Sequence, residues 1–62
     1  MNIQVGDLVA FNKLSDATWF EVIEINGYSM KIVEAGTNDA PQYMDSSLVK
    51  QHQKRLDRKD AY

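Results

Sequence analysis

Two short runs of β-forming residues flank the dipeptide Asn26-Gly27, and this arrangement constrains the fold more than any other feature. The run before it, WFEVIEI over residues 19–25, and the run after it, YSMKIVE over residues 28–34, are rich in aromatic and β-branched residues. Asn-Gly is the strongest short hairpin signal, because a type I′ turn needs positive φ at both central residues. The sequence therefore predicts an antiparallel hairpin that turns at Asn26-Gly27.

Shorter segments of strand-forming and turn-forming residues surround this hairpin. In chain order they predict a strand near 7–12, a loop over 12–18, a loop over 35–41, a strand over 42–44, a helical turn over 45–47 and a strand over 48–51. Five short strands with closely spaced turns predict an all-β fold, a small five-stranded barrel formed by residues 1–52. Residues 53–62 are polar and charged, and we expect them to form a disordered tail or a short helix, because Leu48, His52 and Leu56 have helical spacing.

Size and composition limit the chemistry of the chain. It has 62 residues, no cysteine and a single histidine, His52. A domain of this size is marginally stable, since its core rarely supplies more than ~3–5 kcal/mol. Disulfides and thiolate metal sites are excluded, and one histidine is too few for a typical zinc site. We therefore expect no metal and no cofactor, and we interpret His52 as a surface residue.

The N-terminal residues indicate where the protein works. The segment MNIQVGDLVAF has no basic region and no long apolar run, so it does not resemble a signal peptide, and no segment has the ~20 apolar residues that cross a bilayer. The lack of cysteine fits a reducing compartment. We expect a cytoplasmic protein, of a size that is common among phages and mobile elements.

Charge divides the chain into an acidic body and a basic tail. Residues 1–49 hold seven acidic and two basic residues, a net charge of −5, whereas residues 50–62 hold five basic and two acidic residues, a net charge of +3. The acidic body repels phosphates, which disfavours nucleic-acid binding by the whole domain. The tail alone could contact phosphates through its five bases, which are Lys50, Lys54, Arg55, Arg58 and Lys59.

The hairpin carries apolar residues on both of its faces. A turn at Asn26-Gly27 pairs Phe20 with Val33 and Val22 with Lys31. One face then holds Trp19, Ile23, Ile25, Tyr28, Met30 and Ile32, which we predict to lie in the core with Leu8, Val9 or Phe11, and Leu48. The other face holds Phe20, Val22 and Val33, with Glu24, Ser29 and Lys31.

An exposed apolar cluster on a small protein tends to be an interface. We therefore predict that Phe20, Val22 and Val33 dock onto a partner protein or a second copy of the chain. The surrounding polar contacts would come from Glu24, Lys31 and Tyr43. The alternative is a β-bulge within residues 19–22, which would exchange the two faces and bury part of the cluster.

The segments VGDLVAF, WFEVIEINGYSMKIV and YMDSSLV resemble the parts of an SH3-like barrel of the KOW or Tudor kind, over roughly residues 3–52. Many functions use this barrel, so the resemblance implies a fold and not an activity. A KOW-like protein would bind nucleic acid, here through the basic tail. A Tudor-like protein would hold a methylated cation in an aromatic cage, for which Trp19, Tyr28 and Tyr43 are the candidates.

Gly6-Asp7, and Lys13 placed six residues before Trp19, also resemble the plasmid-encoded type II dihydrofolate reductases, which are tetramers of similar barrels with a central active pore. The likeness breaks at Pro41-Gln42-Tyr43-Met44, where that family has Val-Gln-Ile-Tyr. No serine or cysteine has a neighbouring histidine and acid, and no spaced carboxylate pair suggests acid–base catalysis. We predict a non-catalytic interaction module, with nucleic-acid binding as the first alternative and folate reduction as the second.

Overall fold

The computed structural model describes residues 3–54, which form one antiparallel sheet of five strands. The elements are β1 (Leu8–Ala10), β2 (Phe20–Asn26), β3 (Ser29–Glu34), β4 (Gln42–Asp45), a 3-10 turn (Ser46–Leu48) and β5 (Gln51–Gln53). The strand order in the sheet is β4-β3-β2-β1-β5, so β4 and β5 end the order on opposite sides. The predicted all-β fold with a helical turn before the last strand is confirmed, while barrel closure and the SH3-like assignment stay predictions.

The β2–β3 hairpin turns one residue later than predicted. Asn26 pairs with Ser29, so the two loop residues are Gly27 and Tyr28. Gly27 has a φ of 63°, and none of the non-glycine residues over 3–54 has a positive φ. Positive φ at the first loop residue alone is the pattern of a type II′ turn, which requires glycine only there. Asn26 therefore keeps an extended backbone and ends β2.

A β-bulge at Ile23 shifts the register a second time. Before it, Val22 pairs with Ile32, and after it, Glu24 pairs with Lys31. One extra residue in a strand exchanges the faces on which the following side chains lie. The predicted pairing is therefore wrong. The alternative that we considered, a bulge, is present, but at residues 22–24 instead of 19–22.

The shifted register changes which residues form the core. The buried apolar residues are Val9, Ala10, Val22, Met30, Ile32 and Val49, and the partly buried ones packed against them are Ile3, Phe11, Phe20 and Met44. The predictions for Val9, Met30 and Ile32 are confirmed. Four predicted core residues are instead exposed: Ile23, Ile25, Tyr28 and Leu48. Ile23 lies at the bulge, and Tyr28 and Leu48 lie in turns.

Strand β5 starts three residues after its predicted beginning. The 3-10 turn includes Leu48, and it closes when the Val49 amide donates to the Ser46 carbonyl at 3.2 Å. The Lys50 amide then donates to the Ala10 carbonyl at 2.8 Å, which brings the chain alongside β1. Because Leu48 lies in this turn and His52 in β5, the helical spacing of Leu48, His52 and Leu56 does not produce a helix there. Residues 55–62 of the tail lie outside the described residues.

Within residues 3–54, no helical segment has the length and apolar character needed to cross a membrane.

Candidate functional site

The predicted partner-binding cluster of Phe20, Val22 and Val33 does not exist as one exposed patch. Val22 is 0% exposed and belongs to the core. Phe20 is half-buried, and its ring lies 5.7 Å from that of Phe11 between centroids. Val33 pairs with Glu21, so the alternation of a strand places it on the opposite side of the sheet from Val22. This correction follows directly from the bulge.

The polar members of the same prediction do come together. Glu24 pairs with Lys31, and Lys31 pairs with Tyr43, so the three form a row across β2, β3 and β4. With Asn26 and Ser29 they line a shallow hollow of about 140 Å³. We call these five residues, together with the hollow that they line, the polar row. Its only aromatic group is Tyr43, which is 69% exposed.

A second and larger hollow lies beside the 3-10 turn. It has a volume of about 330 Å³ and is lined by Ile3, Tyr28, Ser46, Ser47 and Val49. We call it the apolar hollow, since two aliphatic side chains and an aromatic ring form most of its wall. Tyr28 is 80% exposed, although it directly precedes β3, the strand that contributes Met30 and Ile32 to the core. An exposed aromatic ring beside aliphatic side chains is the surface type that most often binds another molecule.

Backbone hydrogen bonds hold the apolar hollow in shape. The Ser46 amide donates to the Tyr28 carbonyl at 2.7 Å, which fastens the 3-10 turn to the hairpin turn. Asp45 caps the 3-10 turn, accepting a hydrogen bond from the Ser47 amide at 2.8 Å. Hydrogen bonds from the Ser47 amide and then from its side chain hold the pKa of the Asp45 carboxyl below its usual value. Backbone hydrogen bonds therefore hold one side of the hollow, and an acidic residue is bonded to Ser47 of its lining.

His52 is not the surface residue that we predicted. Its side chain is only 14% exposed, and Nε2 lies 2.7 Å from Oδ2 of the fully buried Asp7. The pairing of β1 with β5 places His52 opposite Val9, two residues from Asp7, so all three lie on the inner side of the sheet. Sequence reasoning found Gly6-Asp7 only as a family-like motif, because nothing in the spacing of 45 residues indicates the contact.

The aromatic cage is excluded by the positions of its members. Trp19 immediately precedes β2, and Tyr28 lies in the turn that follows it. A strand of this length separates the two residues by roughly 20 Å. Tyr43 lies in the polar row, and Tyr28 lies in the apolar hollow. The three rings therefore cannot surround one cation.

The remaining candidate residues give no further site among residues 3–54. Lys50 and Lys54 are exposed on either side of β5, and the other three bases of the predicted nucleic-acid site lie outside the described residues. The described part of the chain holds no group of three or more histidine, cysteine, aspartate or glutamate side chains able to bind a metal.

No protein-family model, curated protein or solved structure matches this chain. The case for a function therefore depends on the geometry of the two hollows.

Sequence reasoning missed the apolar hollow, although two of its signals are present. The Asp45-Ser46-Ser47 cap comes directly after a strand, and an aromatic residue follows the turn glycine Gly27. The missing information was the actual register, because the predicted register assigned Tyr28 to the core.

Proposed function

We propose that this protein is a non-catalytic interaction module that binds an extended segment of a partner protein in the apolar hollow. The observation that carries the proposal is the position of Tyr28. Its ring is 80% exposed while its carbonyl is fixed by the Ser46 amide, so an apolar surface is presented to solvent on a rigid backbone. Tyrosine is among the residues most enriched in the energetic centres of interfaces.

The chemistry of the lining suits a peptide. Ile3 and Val49 offer an apolar wall, Tyr28 offers a ring with a hydroxyl, and Ser46 and Ser47 offer hydroxyl groups at the edge. An extended segment can place one apolar side chain against the wall and direct its backbone groups toward the hydroxyls. This combination of an apolar centre with a polar rim is the usual anatomy of a protein-binding site.

The size of the hollow favours a segment over a second folded copy. A stable dimer buries about 800 Å² per partner, which is about a sixth of the 4550 Å² surface of this molecule. A hollow of about 330 Å³ accommodates one or two side chains. Contact through this hollow alone would bury much less surface than a stable dimer does. Affinity for a short segment would be modest, with a dissociation constant on the order of 100 µM, about −5.5 kcal/mol.

Charge indicates which segments bind best. The residues up to 49 carry a net charge of −5, and Asp45 is hydrogen-bonded to Ser47, which lines the apolar hollow. A segment with lysine or arginine beside its apolar residue is attracted to this surface, chiefly through a faster association rate. We therefore propose a partner segment that is apolar at its centre and basic at its flanks. We keep the cytoplasm as the proposed compartment and a phage or mobile element as the proposed origin.

Two matched tyrosine variants test the proposal. Fluorescence anisotropy would measure the binding of labelled, end-blocked octapeptides in which leucine, isoleucine or phenylalanine at the centre is flanked by lysine. We expect Tyr28→Ser to weaken binding by about tenfold or more, as removal of a central aromatic contact does. Tyr43→Ser, which removes a similarly exposed ring from the polar row, should leave affinity within about twofold.

The same titrations separate the alternatives. Equal loss in the two tyrosine variants, or loss only in Tyr43→Ser, would move the site to the polar row that includes Glu24 and Lys31. Strong, salt-sensitive binding of a single-stranded oligonucleotide, with no binding of the octapeptides, would favour the KOW-like alternative through Lys50, Lys54 and the tail. Oxidation of a reduced nicotinamide cofactor by dihydrofolate would favour the reductase.

A further inference from the structure

Asp7 connects two parts of the chain that are far apart in sequence. Its Oδ2 atom accepts a hydrogen bond from the Gln4 amide at 3.0 Å and contacts His52 Nε2 at 2.7 Å. The Asp7 carboxyl group and the His52 imidazole share this second contact as one hydrogen bond. The N-terminal segment and β5 therefore both contact the same buried oxygen atom.

Backbone hydrogen bonds fix the segment around Asp7. The Asp7 amide donates to the Gln4 carbonyl at 3.1 Å, which closes a turn over residues 4–7. The Gly6 amide donates to the Val22 carbonyl at 2.7 Å, and the Val22 amide donates to the Asp7 carbonyl at 2.9 Å. This turn is thereby attached to β2. Ile3 comes immediately before the turn, and it forms part of the wall of the apolar hollow.

We infer that the contact between Asp7 and His52 is a positioning device for the apolar hollow. His52 does not line the hollow. The His52 imidazole fixes the position of the Asp7 carboxyl group, which accepts a hydrogen bond from the Gln4 amide. Because Ile3 is bonded to Gln4, this contact also fixes the position of Ile3. The inference rests on the proposed function, because it gives Asp7 and His52 a role in shaping the same peptide-binding surface.

The imidazole can be removed while the strand pairing that holds β5 is retained. Backbone pairing joins His52 to Val9 and Gln51 to Ala10, and the Gln51 side chain donates to the Asn12 carbonyl at 2.9 Å. These contacts do not involve the imidazole ring. Without the ring, the buried Asp7 carboxyl group has lost one hydrogen-bond partner, which is unfavourable. It would turn toward water, and the Gln4 amide and Ile3 would move with it.

Two substitutions of His52 form the test, because they differ in one hydrogen-bond donor. His52→Leu removes the hydrogen-bonding nitrogen, whereas His52→Gln places an amide N–H near the position of Nε2. Amide hydrogen exchange in the free protein would report on Gln4, with the most protected amides of β3 as the measure of global opening. Anisotropy with the same lysine-flanked octapeptides would report on the hollow.

We expect His52→Leu to increase the exchange rate of Gln4 by about tenfold more than it increases that of the β3 amides. Octapeptide affinity should fall about fivefold, as the loss of one hydrogen bond predicts. His52→Gln should restore both quantities to within about twofold of the wild-type values.

Other results would overturn the inference. An equal increase in exchange at Gln4 and in β3 would mean that the contact only stabilises the whole fold. Faster exchange at Gln4 with unchanged octapeptide affinity would mean that Ile3 is not coupled to binding. If the wild-type protein binds none of the octapeptides, the proposed function fails, and the exchange at Gln4 still shows whether His52 positions the segment.

Discussion

The two ends of the β2–β3 hairpin contain similar apolar residues but differ in how deeply these residues are buried. At one end Val22 is 0% exposed and packs with Ile32, while near the other end Ile25 is 37% exposed although it pairs with the buried Met30. The bulge at Ile23 separates the two ends. Burial stops at Val22 on β2 but continues to Met30 on β3, and the hairpin turn is hydrogen-bonded to the 3-10 turn. Apolar residues thus serve stability at one end and, in our proposal, binding at the other.

The largest effect should come from placing a carboxylate at each end. We expect Val22→Asp to unfold the protein, because burying an unpaired charge costs several kcal/mol, and a chain this small has only ~3–5 kcal/mol of stability. Ile25→Asp should fold, with a loss of about 1 kcal/mol, since its side chain can reach water. Urea denaturation followed by Trp19 fluorescence measures both variants. Similar stability in the two variants would contradict the difference in burial between the two ends of the hairpin.

A medium effect is expected at the turn between the two strands. Gly27 has a φ of 63°, and a Cβ atom there would meet no atom within 4 Å. Gly27→Ala should therefore cost about 1–2 kcal/mol through backbone conformation alone. Gly27→Asn should cost less, because asparagine adopts positive φ more easily. Equal costs, measured by the same denaturation, would argue against a backbone origin for the effect.

A small effect on stability is expected at Tyr28 itself. Its side chain is 80% exposed, so Tyr28→Ser should change the free energy of unfolding by no more than about 0.5 kcal/mol. Phe20→Ser, at the buried end, should cost about 2–3 kcal/mol, because Phe20 packs against the core. A large loss of stability in Tyr28→Ser would identify Tyr28 as a structural residue and remove the main support for the apolar hollow.

The smallest effect concerns the cap of the 3-10 turn and depends on pH. The pKa of Asp45 is held below its usual value by the hydrogen bonds from Ser47. A lowered pKa in the folded state means that the stabilisation is present above about pH 4 and is lost as the pH falls through the folded-state value.

Asp45→Asn keeps an oxygen acceptor and has no charge to lose. We therefore expect a slightly lower urea midpoint than wild type at pH 7, and equal midpoints at pH 2. A difference that persists unchanged at pH 2 would show that the charge of Asp45 is not the cause.

The sequence predicted the positions of the strands better than it predicted which side chains of each strand face the core. The runs around Asn26-Gly27 identified the hairpin, and Asp45 identified the helical turn, since both signals act over a few neighbouring residues. The face of each side chain depends on register, and a bulge at Ile23 together with a turn at Gly27-Tyr28 leaves no local signature in a run of β-branched residues. A single shift of this kind moved Val22 from the predicted surface into the core.

The candidate site was predictable only in part, for the same reason. Glu24, Lys31 and Tyr43 were predicted to share a site, and they form the polar row. The apolar hollow brings together residues that are distant in sequence: the Ser46 amide bonds the Tyr28 carbonyl, and Ile3 and Val49 line the same wall. The contact between Asp7 and His52 could not be predicted from the sequence either, because it forms only when β1 and β5 pair.

The most direct test of the central claim is to map, by two-dimensional NMR, which backbone amides shift when a lysine-flanked octapeptide is titrated into the protein. We expect the shifts to concentrate at the residues of the apolar hollow: Ile3, Tyr28, Ser46, Ser47 and Val49. Shifts centred on the polar row at Glu24, Lys31 and Tyr43, or no shifts at millimolar peptide, would contradict it.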